Sequence, residues 1–245
     1  MTSTTSSLIP IADRLWCVPG EVRMPGGVTF PCRMVVVQLS SGQVWLHSPV
    51  ALSDAVVESI QAIGPVAFIV APNMLHHLFL EDAMARFPEA KVYGAPGLAD
   101  KRKDLTLHAT LERDTPADGW QADLDQLLIE GVPDVNEVVF LHKPSQSLIV
   151  TDLIFHMHSP RNWQTWLVLT LAGVRGRFKQ SRLFRFITRD RQAAGDSVAR
   201  MLNQWEFNRV IMAHGDVLHD KAPTRVREAL SWMLSTSRHT LPAPA

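Results

Sequence analysis

Cysteine is scarce in this sequence. Its 245 residues hold two, Cys17 and Cys32. They fall in neighbouring predicted strands and could face each other, but a pair in a chain of this size reads as two reduced core thiols rather than a disulfide framework. Charge of one sign is lacking as well: 24 Lys and Arg balance 24 Asp and Glu. That balance gives no electrostatic case for nucleic acid or an anionic membrane, and neither is expected as a partner. Long apolar runs are also lacking. A membrane-spanning helix needs ~20 apolar residues in a row, and the longest candidate, Trp163 to Val174, is shorter and carries Gln164 and two threonines. The opening stretch MTSTTSSLIPIADR has no basic n-region and no apolar run, so no signal peptide is expected and a cytoplasmic location is the default.

What remains is the composition of a globular domain, 46% hydrophobic and 20% charged. The chain reads as one domain over residues 1–245, with residues 1–7 and 240–245 expected to be loose. Asp13 to Val18, Cys32 to Leu39, Val44 to His47, Val66 to Ala71, Lys91 to Tyr93, Leu127 to Glu130, Asn136 to His142, Ser147 to Asp152 and Arg209 to Ala213 have the apolar, β-branched character of strands. Gly20 to Pro31 reads as a loop or hairpin. Helices are predicted over Asp54 to Ile63, capped by Ser53 and stopped at Gly64-Pro65, and over Leu80 to Arg86, Arg161 to Gly173, Asp190 to Trp205 and Ala222 to Ser235. Strands followed by helices in each half fit a sheet-on-sheet core with helices on both outer faces.

Polar, metal-competent side chains stand directly after three of these strands. FIVAPNMLHHLFL, residues 68–80, ends a strand and reaches the adjacent pair His76-His77. SLIVTD ends in Asp152, and RVIMAHGD reaches His214. In layered α/β folds strand ends gather on one rim, where ligands bind. Three imidazoles and a carboxylate are donors that Zn, Fe or Mn accepts.

The sequence resembles the metallo-β-lactamase-like superfamily, and more closely a bacterial domain-of-unknown-function branch of it. The marks are Leu46-His47-Ser48-Pro49, Ala71-Pro72-Asn73-Met74-Leu75-His76-His77-Leu78-Phe79, Phe87-Pro88-Glu89-Ala90, Glu137-Val138-Val139-Phe140, Leu148-Ile149-Val150-Thr151-Asp152 and Ala213-His214-Gly215. The resemblance implies an α/β fold of αββα type, two packed mixed sheets flanked by helices. The superfamily's H-x-H-x-D-H motif, laid on the chain without gaps, falls on Pro72 to His77. Its two opening histidines are then Pro72 and Met74, and the histidine expected after Gly131 is Val132, so the ligands of the first metal site are gone. The second site is implied to survive as His76, His77, Asp152 and His214. One divalent ion is the implied cofactor, Zn first and Fe or Mn next, with no metal as the other possibility.

The function this implies is a mononuclear metal-dependent hydrolase of a small ester or lactone, with metal-bound hydroxide as nucleophile and Glu137 or Asp152 handling the proton. The alternative is a non-catalytic relative that binds a small molecule or a protein. A small-molecule substrate is the expected partner, and a homodimer is allowed. Plainer roles stand beside each residue. His76 and His77 also fit a simple turn, Asp152 a cap, His214 a helix entry, Glu137 a hydrogen-bonded strand start, and Asn73 a bond to its own turn. His156 and His158 fit a loop near the pocket, with Asp216 and His219 as lesser candidates. The basic run Arg175, Arg177, Lys179, Arg182, Arg185, Arg189 and Arg191, interleaved with phenylalanines, fits a solvated face or the rim of an anionic-substrate site better than a nucleic-acid surface. Trp163, Trp166, Trp205 and Trp232 at helical spacing read as core.

Overall fold

The computed structural model describes residues 7–158 and 162–239; the expected looseness at residues 1–6 and 240–245 lies outside them. Alternation and β-branching build the first sheet from β1 (Ile9–Ala12), β2 (Leu15–Arg23), β3 (Thr29–Gln38) and β4 (Val44–His47). α1 (Asp54–Ile63), β5 (Val66–Ala71), α2 (Leu80–Arg86), β6 (Lys91–Gly94), α3 (Leu98–Lys101) and β7 (Ala109–Thr110) follow. These seven strands pair in chain order, antiparallel as far as β4 and parallel from there to β7. The second sheet holds β8 (Leu124–Leu128), β9 (Val138–His142) and β10 (Ser147–Val150). After β11 (Phe155–His156), α4 (Trp163–Ala172), β12 (Phe178–Lys179), α5 (Arg182–Ile187) and α6 (Arg191–Gln204), its last strand is β13 (Arg209–Met212). Its order is β13-β10-β9-β8, with β13 parallel to β10. α7 (Ala222–Ala229) and α8 (Ser231–Leu234) close the described chain.

Three apolar clusters show why these elements stack as they do. Leu15, Cys17, Val35, Val37, Trp45, Phe68 and Val70 of the first sheet meet Leu124, Leu128, Phe140, Ile149 and Ile211 of the second. The alternate residues of the first sheet, among them Met34, Val36, Leu46 and Ile69, pack against Val56 and Ile60 of α1, Leu80 of α2 and Leu98 of α3. On the far side Val139, Leu148, Val150, Val210 and Met212 take Ala194, Val198 and Met201 of α6, Val226 of α7 and Met233 of α8. The result is helix, sheet, sheet, helix, as the resemblance implied. Strands apolar on both faces follow from burial on both faces. Cys17 and Cys32 lie in different clusters, on opposite faces of the sheet, and both are free thiols. Burial pushes each of them up to about 12.

Several elements differ from the sequence expectation. β1 went unforeseen because IPIA is largely exposed and holds a proline. Of the two readings of Gly20 to Pro31, loop or hairpin, the structure has the hairpin: β2 and β3 run on through most of that stretch, pairing from Leu15↔Val37 to Arg23↔Thr29. The last helix is two, broken at Leu230. Ser53 does cap α1, its side chain accepting from the Val56 N–H. Gly64 ends that helix in an extended conformation, not a left-handed one. Its glycine is needed because a Cβ there would stand 2.2 Å from the Gly42 carbonyl oxygen.

Candidate metal centre

Four strand ends of the two sheets open on one rim. β5 runs into a loop tied down on every side. The Met74 N–H donates to the Val135 carbonyl (2.8 Å), the Val138 N–H to the Pro72 carbonyl (2.8 Å), and Lys101 Nζ to the Met74 carbonyl (2.6 Å). Asn73 is fully buried, and its Oδ1 accepts from the N–H groups of Leu75 (2.8 Å) and His76 (2.7 Å). That is the turn bond expected of it. Its Nδ2 also donates to Thr151 Oγ1 (2.9 Å) and Asp152 Oδ2 (2.7 Å), joining the loop after β5 to the loop after β10.

Asp152 is held by a second carboxylate. Glu137, just before β9, has no exposed surface, and its two oxygens accept from the N–H groups of Thr151 (2.7 Å) and Asp152 (2.8 Å). Burial first, and then the Asp152 charge, push the Glu137 carboxyl up to about 7 against those donors. Burial also works to raise Asp152, but the charges and hydrogen bonds of His76 and His214 outweigh it and hold that carboxyl well below the usual range. His214 follows β13. Its Nδ1 donates to the Pro31 carbonyl (2.7 Å), and Phe155 stacks on its ring at 5.1 Å. Burial lowers its basicity, but Asp152 and the Pro31 carbonyl raise it by more. The next residue, Gly215, has φ +105°, and a Cβ there would stand 2.0 Å from the His156 carbonyl oxygen, so no other residue fits.

The three side chains meet. His76 Nε2 lies 3.2 Å from His214 Nε2 and 3.3 Å from Asp152 Oδ2, and His214 Nε2 lies 3.4 Å from Asp152 Oδ1. Among the described residues this is the one group of three or more His, Cys, Asp or Glu side chains placed to hold a metal ion. The donor chemistry fits. Because a carbonyl only accepts, Nδ1 of His214 carries the proton, and in the neutral ring Nε2 then presents a lone pair. His76 Nδ1 is engaged by Ser48 Oγ (2.7 Å), which likewise leaves Nε2 facing the other two groups. The separations match the ~3.3 Å edge of a tetrahedron whose corners lie ~2.0 Å from its centre, the spacing of Zn ligands. A proton shared among the three groups, or a divalent cation, answers the same electrostatic demand.

His77 does not join them. Its Nδ1 accepts from Arg102 Nη1 (3.0 Å), and burial followed by the charges of Lys101 and Arg102 lowers its basicity. Adjacent side chains diverge, and an arginine 25 residues further on takes the second one. Glu137 stands behind Asp152 rather than at the rim, fully buried and with both oxygens taken by main-chain N–H groups. His156 and His158 stack edge to face at 4.5 Å; His156 Nδ1 donates to the Asp216 carbonyl (3.0 Å), and His158 Nε2 lies 4.0 Å from the Asp216 carboxylate. None of these three is in the metal-competent group. Met74 packs with the first sheet's outer core and Val132 with the second's. The residue that sequence reasoning passed over is Ser48. It is buried, has φ 55°, and follows β4, a fourth strand end on the same rim. In the sequence it stood only inside the stretch Leu46-His47-Ser48-Pro49, with no role given to it. A cleft of about 390 Å³ lined by Glu130, Asp190, Arg200 and His239, among others, shares no residue with this centre.

The fold is that of the metallo-β-lactamases. The metallo-β-lactamase from Hirschia baltica superposes with a TM-score of 0.62 at 11% identity, covering 96% of this chain and 99% of its own. The metallo-β-lactamase from Pontibacter korlensis gives 0.63 at 16% identity, covering 94% and 99%. FIM-1 from Pseudomonas aeruginosa, in its mono-zinc form, gives 0.64 at 13% identity, covering 94% of each. At these identities the likeness concerns the fold alone. Residues 12–164, more than half of the chain, match the family described as "Domain of unknown function (DUF4336)", and the chain belongs to that family. Among curated proteins none matches the sequence.

Proposed function

We propose that the protein is a mononuclear metal-dependent hydrolase of a small ester or lactone. The observation that carries this reading is the convergence of His76 Nε2, His214 Nε2 and the Asp152 carboxylate from three separate strand ends. A divalent cation bound there supplies Lewis acidity, lowering the pKa of water and polarising a carbonyl oxygen. Zinc suits two imidazoles and a carboxylate, and FIM-1, which shares the fold, was solved in a mono-zinc form. The chain's own groups do the rest. His76, Asp152 and His214 hold the ion, Ser48 and the Pro31 carbonyl orient the two rings, and Asn73 and Glu137 fix the aspartate. Asp152 has 13% of its side chain exposed and Glu137 is fully buried, so of the two carboxyls Asp152 is the one that reaches the rim.

Elemental analysis tests this on the wild type, on His214→Ala and on His77→Gln. The expected result is about one equivalent of metal in the wild type, none in His214→Ala, and an unchanged content in His77→Gln. A wild type that takes up no Zn, Mn or Fe overturns the reading and favours a non-catalytic binding role. Loss of the ion in His77→Gln overturns the ligand set. The loaded protein is then expected to hydrolyse p-nitrophenyl acetate or a simple γ-lactone, with His214→Ala inactive.

A further inference from the structure

Exposed apolar surface is concentrated in one place. Ten large hydrophobic side chains are exposed among the described residues, and six of them belong to α4 and α5: Trp163, Trp166, Leu167, Leu171, Leu183 and Phe186. Trp163 is 70% exposed, Leu171 65%, Leu183 64% and Phe186 85%. On α4 they recur at helical spacing, so they form one stripe along the helix, while Thr165 and Leu169 are buried. Reading Trp163 and Trp166 as core was therefore wrong. α4 is locked to the body by polar bonds on its inner side. Thr165 Oγ1 accepts from the Thr29 N–H (2.9 Å), and Asn162 Nδ2 donates to the Gly27 carbonyl (2.9 Å). α5 lies next to it, with Arg182 beside Gly173 and its Nη1 3.4 Å from the Leu171 carbonyl.

The charge around this surface has one sign. Residues 163–189 contain no Asp or Glu and six basic residues, Arg175, Arg177, Lys179, Arg182, Arg185 and Arg189. All six are exposed, and of them Arg189 alone has a described carboxylate within salt-bridge distance, Asp134 at 2.8 Å. The chain's net charge of zero hid this asymmetry, because the balancing acids lie elsewhere in the sequence.

We propose that the α4–α5 face docks the protein onto an anionic lipid bilayer. Tryptophan, phenylalanine and leucine set beside cations are the composition of a helix that lies in a headgroup region, and clustered Lys and Arg draw such a surface to anionic lipid. α4 has ten residues, a length of ~15 Å, which suits lying on a bilayer and not crossing it. A second copy of the chain is a poorer occupant, since a two-fold contact would set these cations against one another. Nucleic acid would match the cations but leave Leu167, Leu171 and Leu183 without a role. This docking does not depend on the metal site or on hydrolysis.

Sedimentation with vesicles tests it. The full chain is mixed with vesicles of phosphatidylcholine alone, or with about 30 mol % phosphatidylglycerol. The expected result is binding to the phosphatidylglycerol vesicles only, a blue shift of tryptophan emission, and release at about 0.5 M salt. Trp163→Ser with Phe186→Ser, and separately Arg182→Glu with Arg185→Glu, are each expected to weaken binding by at least about tenfold with circular dichroism unchanged. Failure to bind either vesicle overturns the proposal, as does equal binding by both variants and the wild type. A wild-type dimer on light scattering that the first variant abolishes, without vesicle binding, assigns the face to a second copy. A duplex oligonucleotide bound more tightly than the vesicles, and lost only in the arginine variant, assigns it to nucleic acid.

Discussion

The rim that carries His76, Asp152 and His214 and the face of α4 and α5 are built on opposite principles. At the rim, buried polar groups are partnered: Asn73 bonds two loops, Glu137 holds two main-chain N–H groups, and His214 bonds the Pro31 carbonyl. On the α4–α5 face large apolar side chains stand in the open, and most of the cations have no carboxylate of the described residues within salt-bridge distance. A buried group left unpaired costs free energy, whereas an exposed one is exchanged with water at little cost. The rim is therefore where substitution harms folding, and the outer face is where it changes only what the protein touches.

The largest expected effect follows from removing the buried carboxylate. Glu137→Ala leaves the N–H groups of Thr151 and Asp152 without acceptors, and a loss of about 3 kcal/mol is expected in urea denaturation. A loss under about 0.5 kcal/mol would show that the loop does not need its anchor.

A smaller effect, dependent on pH, comes from His47 beneath the rim. It is buried, stacks on Trp45 at 5.4 Å, and neither ring nitrogen has a hydrogen-bond partner among the described residues. Burial, and then the neighbouring His76, lower its pKa to about 3. The unfolded chain takes up a proton near pH 6.5 and the folded one does not, so stability is complete above that pH and falls as pH drops from 6.5 toward 3. At pH 5 the loss from this residue is about 2 kcal/mol. His142, lowered to about 4, adds a loss of the same sign. Urea melts at pH 7 and pH 5 should show His47→Phe losing less than the wild type, and equal losses would refute the assignment.

The smallest effect belongs to the outer face. Phe186→Ser is expected to leave stability within about 0.5 kcal/mol of wild type. A larger loss, seen as a clear drop in Tm, would mean that Phe186 is packed and that the contrast between the two regions does not hold.

Much of the rim was legible in the sequence because each of its ligand candidates directly follows an apolar strand. That pattern found His76, Asp152 and His214. It could not say that His77 turns to Arg102, because the direction of one side chain in a turn depends on what the rest of the fold brings beside it. Glu137 was noticed, but its role rests on the backbone of residues 151–152, which no side-chain pattern records. Ser48 depends on a left-handed backbone at a serine, a conformation its sequence does not announce. The layered architecture came from the family resemblance and the strand and helix pattern together. Strand order and the break at Leu230, with neither Gly nor Pro to mark it, did not. The exposed stripe of α4 was misread because its three polar residues, Gln164, Thr165 and Thr170, do not gather on one face to show which way is out.

His76 and His214 lie 138 residues apart in the chain, one on each sheet, and Asp152 stands between them. An ion gripped by all three would tie distant points of the folded chain together, and would stabilise it by mass action because it binds the native state and not the unfolded one. In a chain whose two thiols are buried on opposite faces of one sheet and never meet, that coordination is the cross-link its geometry permits. Chelation should then show itself first as a looser pairing of the two sheets, read as faster amide exchange across their interface.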